Sequence, residues 1–227
     1  MIGKDRAVFI DADDTLLDFK ACAKRSLDEA CEAFSLTLPD NALSVFFEIN
    51  DELWRSLERG ELSFEKLHEI RWVKIFDALG VDFDGPTFES VFWKRLREIA
   101  VRMEGAEELL SYLSKKYVVC IASNAPVGQQ DRKLTEIGLI KYVDHIFVSG
   151  DIGVAKPKRE FFDGCFASLP EIVAGQTYMI GDSLTADVRG AHDYGMKTIW
   201  FNHRREDESQ SCADKIVYKL VDIIDIL

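Results

Sequence analysis

Apolar residues fall along this chain in two arrangements: short unbroken runs, and longer stretches spaced at helical period. Ala7-Val8-Phe9-Ile10 is the first run and stops abruptly at Asp11; residues 117–122, 145–148, 177–180 and 198–201 follow the same pattern. A run apolar at every position suits a strand buried on both faces, as in a parallel sheet. Residues 105–116, 129–137, 158–169 and 187–194 lie between or beside these runs and carry helical periodicity. Strands alternating with helices imply right-handed crossovers and a Rossmann-like, doubly wound parallel α/β sheet. A short strand at 215–217 and a helix running to Leu227 are expected to complete it.

The stretch between Phe19 and Ala100 breaks that alternation. Helical periodicity dominates at 21–34, 41–57, 63–79 and 87–100, with breakers at Pro39-Asp40, Arg59-Gly60 and from Gly80 to Pro86. Ser63 with Lys66 suits a helix start, and Gly60 and Gly80 stand where helix stops are expected. The pattern predicts a four-helix unit at 18–100 inserted after the first strand, with 1–17 and 101–227 forming the core domain.

Composition narrows the function classes. The 227 residues are 47% hydrophobic and 30% charged, enough to bury a substantial core. No segment approaches the roughly 18 consecutive apolar residues of a membrane helix. The run at 7–10 is too short for a signal peptide and meets acids at once, so a cytoplasmic protein without a membrane partner is expected, as monomer or homodimer. A net charge of −12 speaks against a nucleic-acid polymer. It allows a small phosphorylated metabolite, because a bound divalent cation reverses the local field of an acidic cleft. Cys22, Cys31, Cys120, Cys165 and Cys212 show no paired spacing and read as small buried side chains in a reducing compartment.

Candidate chemistry gathers directly after the predicted strands. Asp11-Ala12-Asp13-Asp14-Thr15-Leu16 ends the first, so its acids project into the crevice where α/β sheets bind ligands. Two carboxylates two residues apart can divide the work, one as nucleophile and the other passing a proton to the leaving oxygen. Alone, the cluster equally suits an acidic turn that ends a strand. Gly181-Asp182-Ser183-Leu184-Thr185-Ala186-Asp187 also follows an apolar run. Asp182 can face Asp11 if their strands are neighbours, and such carboxylates supply the oxygen shell Mg²⁺ prefers. Asp187 suits either a helix cap or a supporting acid. Ser123, beside Asn124, ends another strand, and Lys156 follows the third core strand by a loop containing Gly153. A lone serine or lysine is ordinarily a surface residue; the common position of all four groups is what singles them out.

On these residues the sequence resembles the haloacid dehalogenase (HAD) superfamily, whose four motifs stand in order as Asp11-x-Asp13-x-Thr15, Ser123, Lys156, and Gly181-Asp182 with Asp187. The helical insert resembles the family's C1-type cap. Asp11 to Leu16, with the run from Ser123-Asn124 to Lys156-Pro157, resembles the pyrimidine 5′-nucleotidase branch, and related sugar-phosphate phosphatases share much of it. The resemblance implies that Asp11 is nucleophile and metal ligand, and that Asp13 is acid and base with its backbone carbonyl on the metal. It implies phosphate binding by Thr15, Ser123, Asn124 and Lys156, with Thr15 also buttressing the loop, metal ligation by Asp182, and support from Asp187. The implied cofactor is Mg²⁺ and the implied activity phosphomonoester hydrolysis through a phospho-aspartate, nucleoside monophosphates coming first and sugar phosphates next.

Rival activities differ in what they need. A 2-haloacid dehalogenase resembles this chain at Asp11 but lacks the second aspartate; a phosphonate hydrolase needs a cap lysine in place of Asp13. A phosphomutase keeps all four motifs, and a binding module would have lost one. In the helical unit, Trp54, Trp72 and Trp93 suit its core, Arg55 and Arg71 suit solvent, and His68 suits a surface or satisfied position. Asp18 and Phe19 are expected near the mouth of the site, as substrate contacts on the leaving group. Hinges are expected near Asp18 and at 100–105.

Overall fold

The computed structural model describes residues 5–227. The chain forms two compact units, Met1–Phe19 with Ala100–Leu227, and Lys20–Ile99. In chain order the elements are β1 (Ala7–Ile10), then α1 (Phe19–Phe34), α2 (Ala42–Glu58), α3 (Phe64–Leu79) and α4 (Gly85–Glu98). They continue with α5 (Ala106–Leu113), β2 (Val118–Ser123), α6 (Gln129–Glu136), β3 (His145–Val148), α7 (Ser149–Ile152) and α8 (Arg159–Ala167). Next come β4 (Tyr178–Gly181), α9 (Gly190–Tyr194), β5 (Lys197–Phe201) and β6 (Lys215–Val217).

Among the described residues, six strands pair in parallel, in the order β3-β2-β1-β4-β5-β6. Strand β1 lies centrally, with Ile10 opposite Ile121 on β2 and Ile180 on β4. Its side chains alternate between two apolar layers, Val8 and Ile10 entering one and Ala7 and Phe9 the other. Burial on both faces removes any need for polar alternation, which is why the run is uniformly apolar. Each large side chain in it contributes roughly 1.5–3 kcal/mol of burial. The carboxyl ends of β1, β2 and β4 are adjacent, and strand order reverses at β1, the position where such sheets bind ligands.

Within Lys20–Ile99, Trp72 is fully buried and packs on Phe46, Phe88 and Phe92 at ring separations of 5.8, 4.4 and 5.0 Å. Ser63 caps α3 by accepting from the Lys66 N–H at 3.1 Å, and Gly80 ends it in the left-handed region at φ 65°. The expected start at Thr87 is corrected to Gly85, because Asp84 accepts from the Thr87 N–H at 2.8 Å and so sets the cap earlier. Arg71 also departs from expectation. It is fully buried rather than solvated, donating to both Glu89 carboxylate oxygens at 2.5 and 3.2 Å and to Asn50 Oδ1 at 3.0 Å. His68 is half-buried, its Nδ1 lying 2.6 Å from Glu89 Oε1.

Two further elements differ from the sequence pattern. The tail after β6 is a 3₁₀ turn, Leu220–Asp225, not an α-helix. Leu220 and Ile223 are buried at a spacing of three, which a 3₁₀ turn satisfies as well as an α-helix does. The helix expected from Asp187 begins earlier, as a π-helical turn over Leu184–Arg189 that runs into α9. Ser183 caps that turn, its hydroxyl accepting from the Ala186 N–H at 3.0 Å.

Candidate active site

Asp11 follows β1 directly, and its backbone N–H continues the sheet ladder to Ile180 O at 2.8 Å. Its side chain is aimed at Lys156, whose Nζ donates to Asp11 Oδ1 at 2.8 Å, Asp187 Oδ1 at 2.6 Å and Ala122 O at 2.6 Å. Three acceptors satisfy the three N–H bonds of the ammonium, so the lysine is fixed in position. Asp187 is buried and also accepts from the Ser183 N–H at 3.1 Å. Gly181 makes room for it: a Cβ there would lie 2.1 Å from Asp187 Oδ2. Burial opposes the charge on Lys156, but Asp11 and Asp187 outweigh that penalty and raise its pKa. Burial first, then repulsion from Asp187 and Asp13, pushes the Asp11 carboxyl up to about 7 against the pull of Lys156.

Asp13 is engaged from the other side. Lys133 Nζ donates to its Oδ1 at 3.1 Å and Gln130 Nε2 to its Oδ2 at 2.6 Å. The same Gln130 amide donates to Ser123 Oγ at 2.9 Å. Both residues belong to α6, and both are buried. Asn124 directs its side chain to the backbone of Lys156, accepting from its N–H at 2.8 Å and donating to its carbonyl at 3.0 Å. It thereby ties the end of β2 to the loop that presents the lysine.

Asp14 bends the loop back at φ 65°, a conformation aspartate tolerates better than most residues. Its carboxylate accepts from Arg204 Nη2 at 2.5 Å and lies 3.1 Å from His203 Nε2. Burial alone would raise its pKa, but these two partners outweigh burial and lower it. Thr15 is fully buried and donates to Asp182 Oδ1 at 3.3 Å, while Trp200 Nε1 donates to the Asp182 carbonyl at 2.7 Å. The carboxyl of Asp182 is raised well above its ordinary range by burial, then by Asp14, Asp11 and Asp187.

Carboxylate oxygens of Asp11, Asp182 and Asp187 lie within 4.8 Å of one another. Lys156 contacts Asp11 and Asp187 but not Asp182, whose carboxyl is raised by burial and by the surrounding acids; the cluster is acidic, and hard oxygen donors suit Mg²⁺. Asp187 is already engaged by Lys156 and Ser183, so Asp11 and Asp182 are the side chains that fit a cation. Asp14, Asp182 and His203 also approach one another, but Arg204 beside Asp14 holds the positive charge there.

The four groups singled out from the sequence thus stand on adjoining carboxyl ends of β1, β2 and β4 and on the loop before α8. Asp18 lies on the chain crossing, its N–H donating to Val101 O at 2.9 Å, and Phe19 opens α1. Sequence reasoning missed Gln130, Lys133, His203 and Arg204. The signal for the first two was present: 130, 133 and 134 share one face of α6, and polar residues occupy two of the three positions. For His203 and Arg204, only their place just beyond β5 pointed inward.

A family model described as haloacid dehalogenase-like hydrolase matches residues 6–195. The Bacillus subtilis (strain 168) protein YfnB, described as a HAD-hydrolase, is 32% identical over 87% of this chain and 84% of its own length. A crystal structure of YfnB bound to magnesium superposes with a TM-score of 0.91 at 30% identity, covering 98% of both chains. The pyrimidine 5′-nucleotidase PynA of Streptococcus pneumoniae (strain ATCC BAA-255 / R6) is 29% identical over 97% of this chain and 94% of its own.

Proposed function

The chain belongs to the haloacid dehalogenase-like hydrolase family, and from that premise we propose that it is a magnesium-dependent phosphomonoesterase with Asp11 as nucleophile and Asp13 as general acid and base. The observation that carries this is the buried contact of Lys156 with Asp11 and Asp187 at the carboxyl end of β1. A carboxylate cannot approach a phosphate dianion unless positive charge offsets the repulsion. Lys156 supplies part of that charge at the nucleophile itself. Asp11 and Asp182, with the backbone carbonyl of Asp13, would hold Mg²⁺, which when bound supplies the remaining positive charge.

Asp11 attacks phosphorus, the ester oxygen departs with a proton from Asp13, and a phospho-aspartate remains. Asp13, now ionised, takes a proton from water as that water attacks phosphorus and frees Asp11. Ser123 holds a phosphoryl oxygen, Lys156 offsets charge on Asp11 and the phosphoryl group, Asn124 fixes the backbone of Lys156 beside them, and Thr15 steadies Asp182. The second aspartate separates this chemistry from dehalogenation, where halide departs without a proton. Nucleoside 5′-monophosphates are the substrate class, supported by the likeness to PynA along nearly the whole chain.

The test is phosphate release from nucleoside monophosphates and small sugar phosphates, with Mg²⁺ and with EDTA, by wild type and by Asp11→Asn. Release should need the metal, vanish in Asp11→Asn by a factor of at least about 10³, and be fastest with nucleotides. Release that survives Asp11→Asn overturns the nucleophile; faster release from sugar phosphates overturns the substrate class alone.

A further inference from the structure

Helix α6 carries a polar inner face of a kind that stability alone does not explain. A buried lysine is costly unless paired, and Lys133 is 1% exposed with its ammonium 3.1 Å from Asp13 Oδ1. Gln130 is fully buried, and its Oε1 has no hydrogen-bond partner among the described residues, while its Nε2 serves both Asp13 and Ser123. A leucine at either position would fit a helix packed on a sheet. These side chains are therefore spent on Asp13, whose carboxylate is itself only about one-third exposed at 32%.

We propose that Lys133 and Gln130 are positioning residues for the reaction, holding the Asp13 carboxylate in one orientation and joining it, through the Gln130 amide, to Ser123. The inference rests on the role proposed for Asp13. Its geometric content is specific. Each Asp13 oxygen faces an N–H donor, Oδ1 the Lys133 ammonium and Oδ2 the Gln130 amide. Donors on both oxygens fix the rotation of the Asp13 side chain, so the group is oriented before substrate arrives. Ser123, which holds a phosphoryl oxygen, is tied to the same amide, so substrate arriving at the serine is felt at the acid/base residue. Both helix residues act on the reaction through Asp13, and Gln130 also through Ser123.

The test is a double-mutant cycle on the full-length protein with Mg²⁺ and p-nitrophenyl phosphate, whose leaving group keeps slow variants measurable. Lys133→Met should lower kcat by at least about tenfold, about 1.4 kcal/mol of barrier, and leave KM within about twofold. In an Asp13→Asn background the same change should have little further effect, because its target is gone, and Lys133→Arg should recover part of the loss. An equal loss in both backgrounds, or unchanged kcat in Lys133→Met, overturns the proposal. If Lys133→Met does not fold, the neutral Gln130→Met runs through the same cycle with the same criteria. Failure of the underlying role looks different: Asp13→Asn itself would retain wild-type activity.

Discussion

Lys156 and Asp11 show how a buried charge becomes useful when its neighbours are chosen. With the ammonium removed, Asp11 and Asp187 would face each other with no cation between them. Lys156→Met should therefore cost roughly 3–5 kcal/mol of stability and abolish turnover, read by denaturant unfolding and phosphate release. A variant of wild-type stability would show that the pair contributes little to the fold. Arginine is no substitute, since its planar fork cannot reproduce three convergent bonds from one nitrogen. Asp11 makes a second prediction. Its carboxyl, raised by burial from 3.8 to about 7, binds its proton more tightly in the folded chain than in the unfolded one. That contribution to stability is complete below the unfolded value and is lost as pH rises through the folded one. The metal-free protein should thus lose Tm between about pH 5 and about pH 8, and Mg²⁺ should raise Tm more at the higher pH, where it meets the ionised pair. Asp182, raised in the same direction, adds to the effect. An equal Mg²⁺ shift at both pH values would sink this account.

Among elements, the uniformly apolar strands were the most legible from sequence. Val8 and Phe9 are buried on opposite faces of the sheet, so every position of β1 carries the same signal. The motif residues at strand ends were legible for a related reason: a buried run that stops at an acid has few structural explanations. Helix α6 is legible as a helix, but the contacts of Gln130 and Lys133 with Asp13 are not, because their buried face looks like an ordinary polar surface in the sequence. The turn over Leu184–Arg189 was hidden by its rare helical type. Its geometry makes Gly181 a test of the whole corner. A Cβ there must displace Asp187, which is held by Lys156 and by the Ser183 N–H. Gly181→Ala should accordingly lower kcat by at least about tenfold and cost about 1–3 kcal/mol of stability, read by phosphate release and denaturant unfolding. Activity at the wild-type level would mean that Asp187 can move without consequence.

At the scale of the whole molecule, the helical unit Lys20–Ile99 has a core of its own, and its charged centre is part of that core. Arg71 is sealed among Phe46, Phe92 and Trp93, its guanidinium 5.2–5.8 Å from their rings, with Glu89 as counter-ion. Sequence pattern assigned this arginine to solvent because nothing local marks a pair separated by 18 positions. Glu89→Ala should strand the cation and destabilise the unit by roughly 3–5 kcal/mol, visible as an earlier unfolding transition; a variant as stable as wild type would show the pair to be dispensable.

The core presents its own continuity where the chain leaves it and returns. Leu17 bridges Arg102 in antiparallel fashion, the Asp18 N–H donates to Val101 O at 2.9 Å, and the Met103 N–H donates to Leu16 O at 3.0 Å. The outgoing and incoming segments are thus already paired as the two arms of a β-ribbon. An entire helical unit takes the place that two residues fill in an ordinary hairpin. Seen from the sheet, the insertion closes a loop whose ends would meet without it, and Asp11 and Asp13 sit one short stretch upstream of that junction.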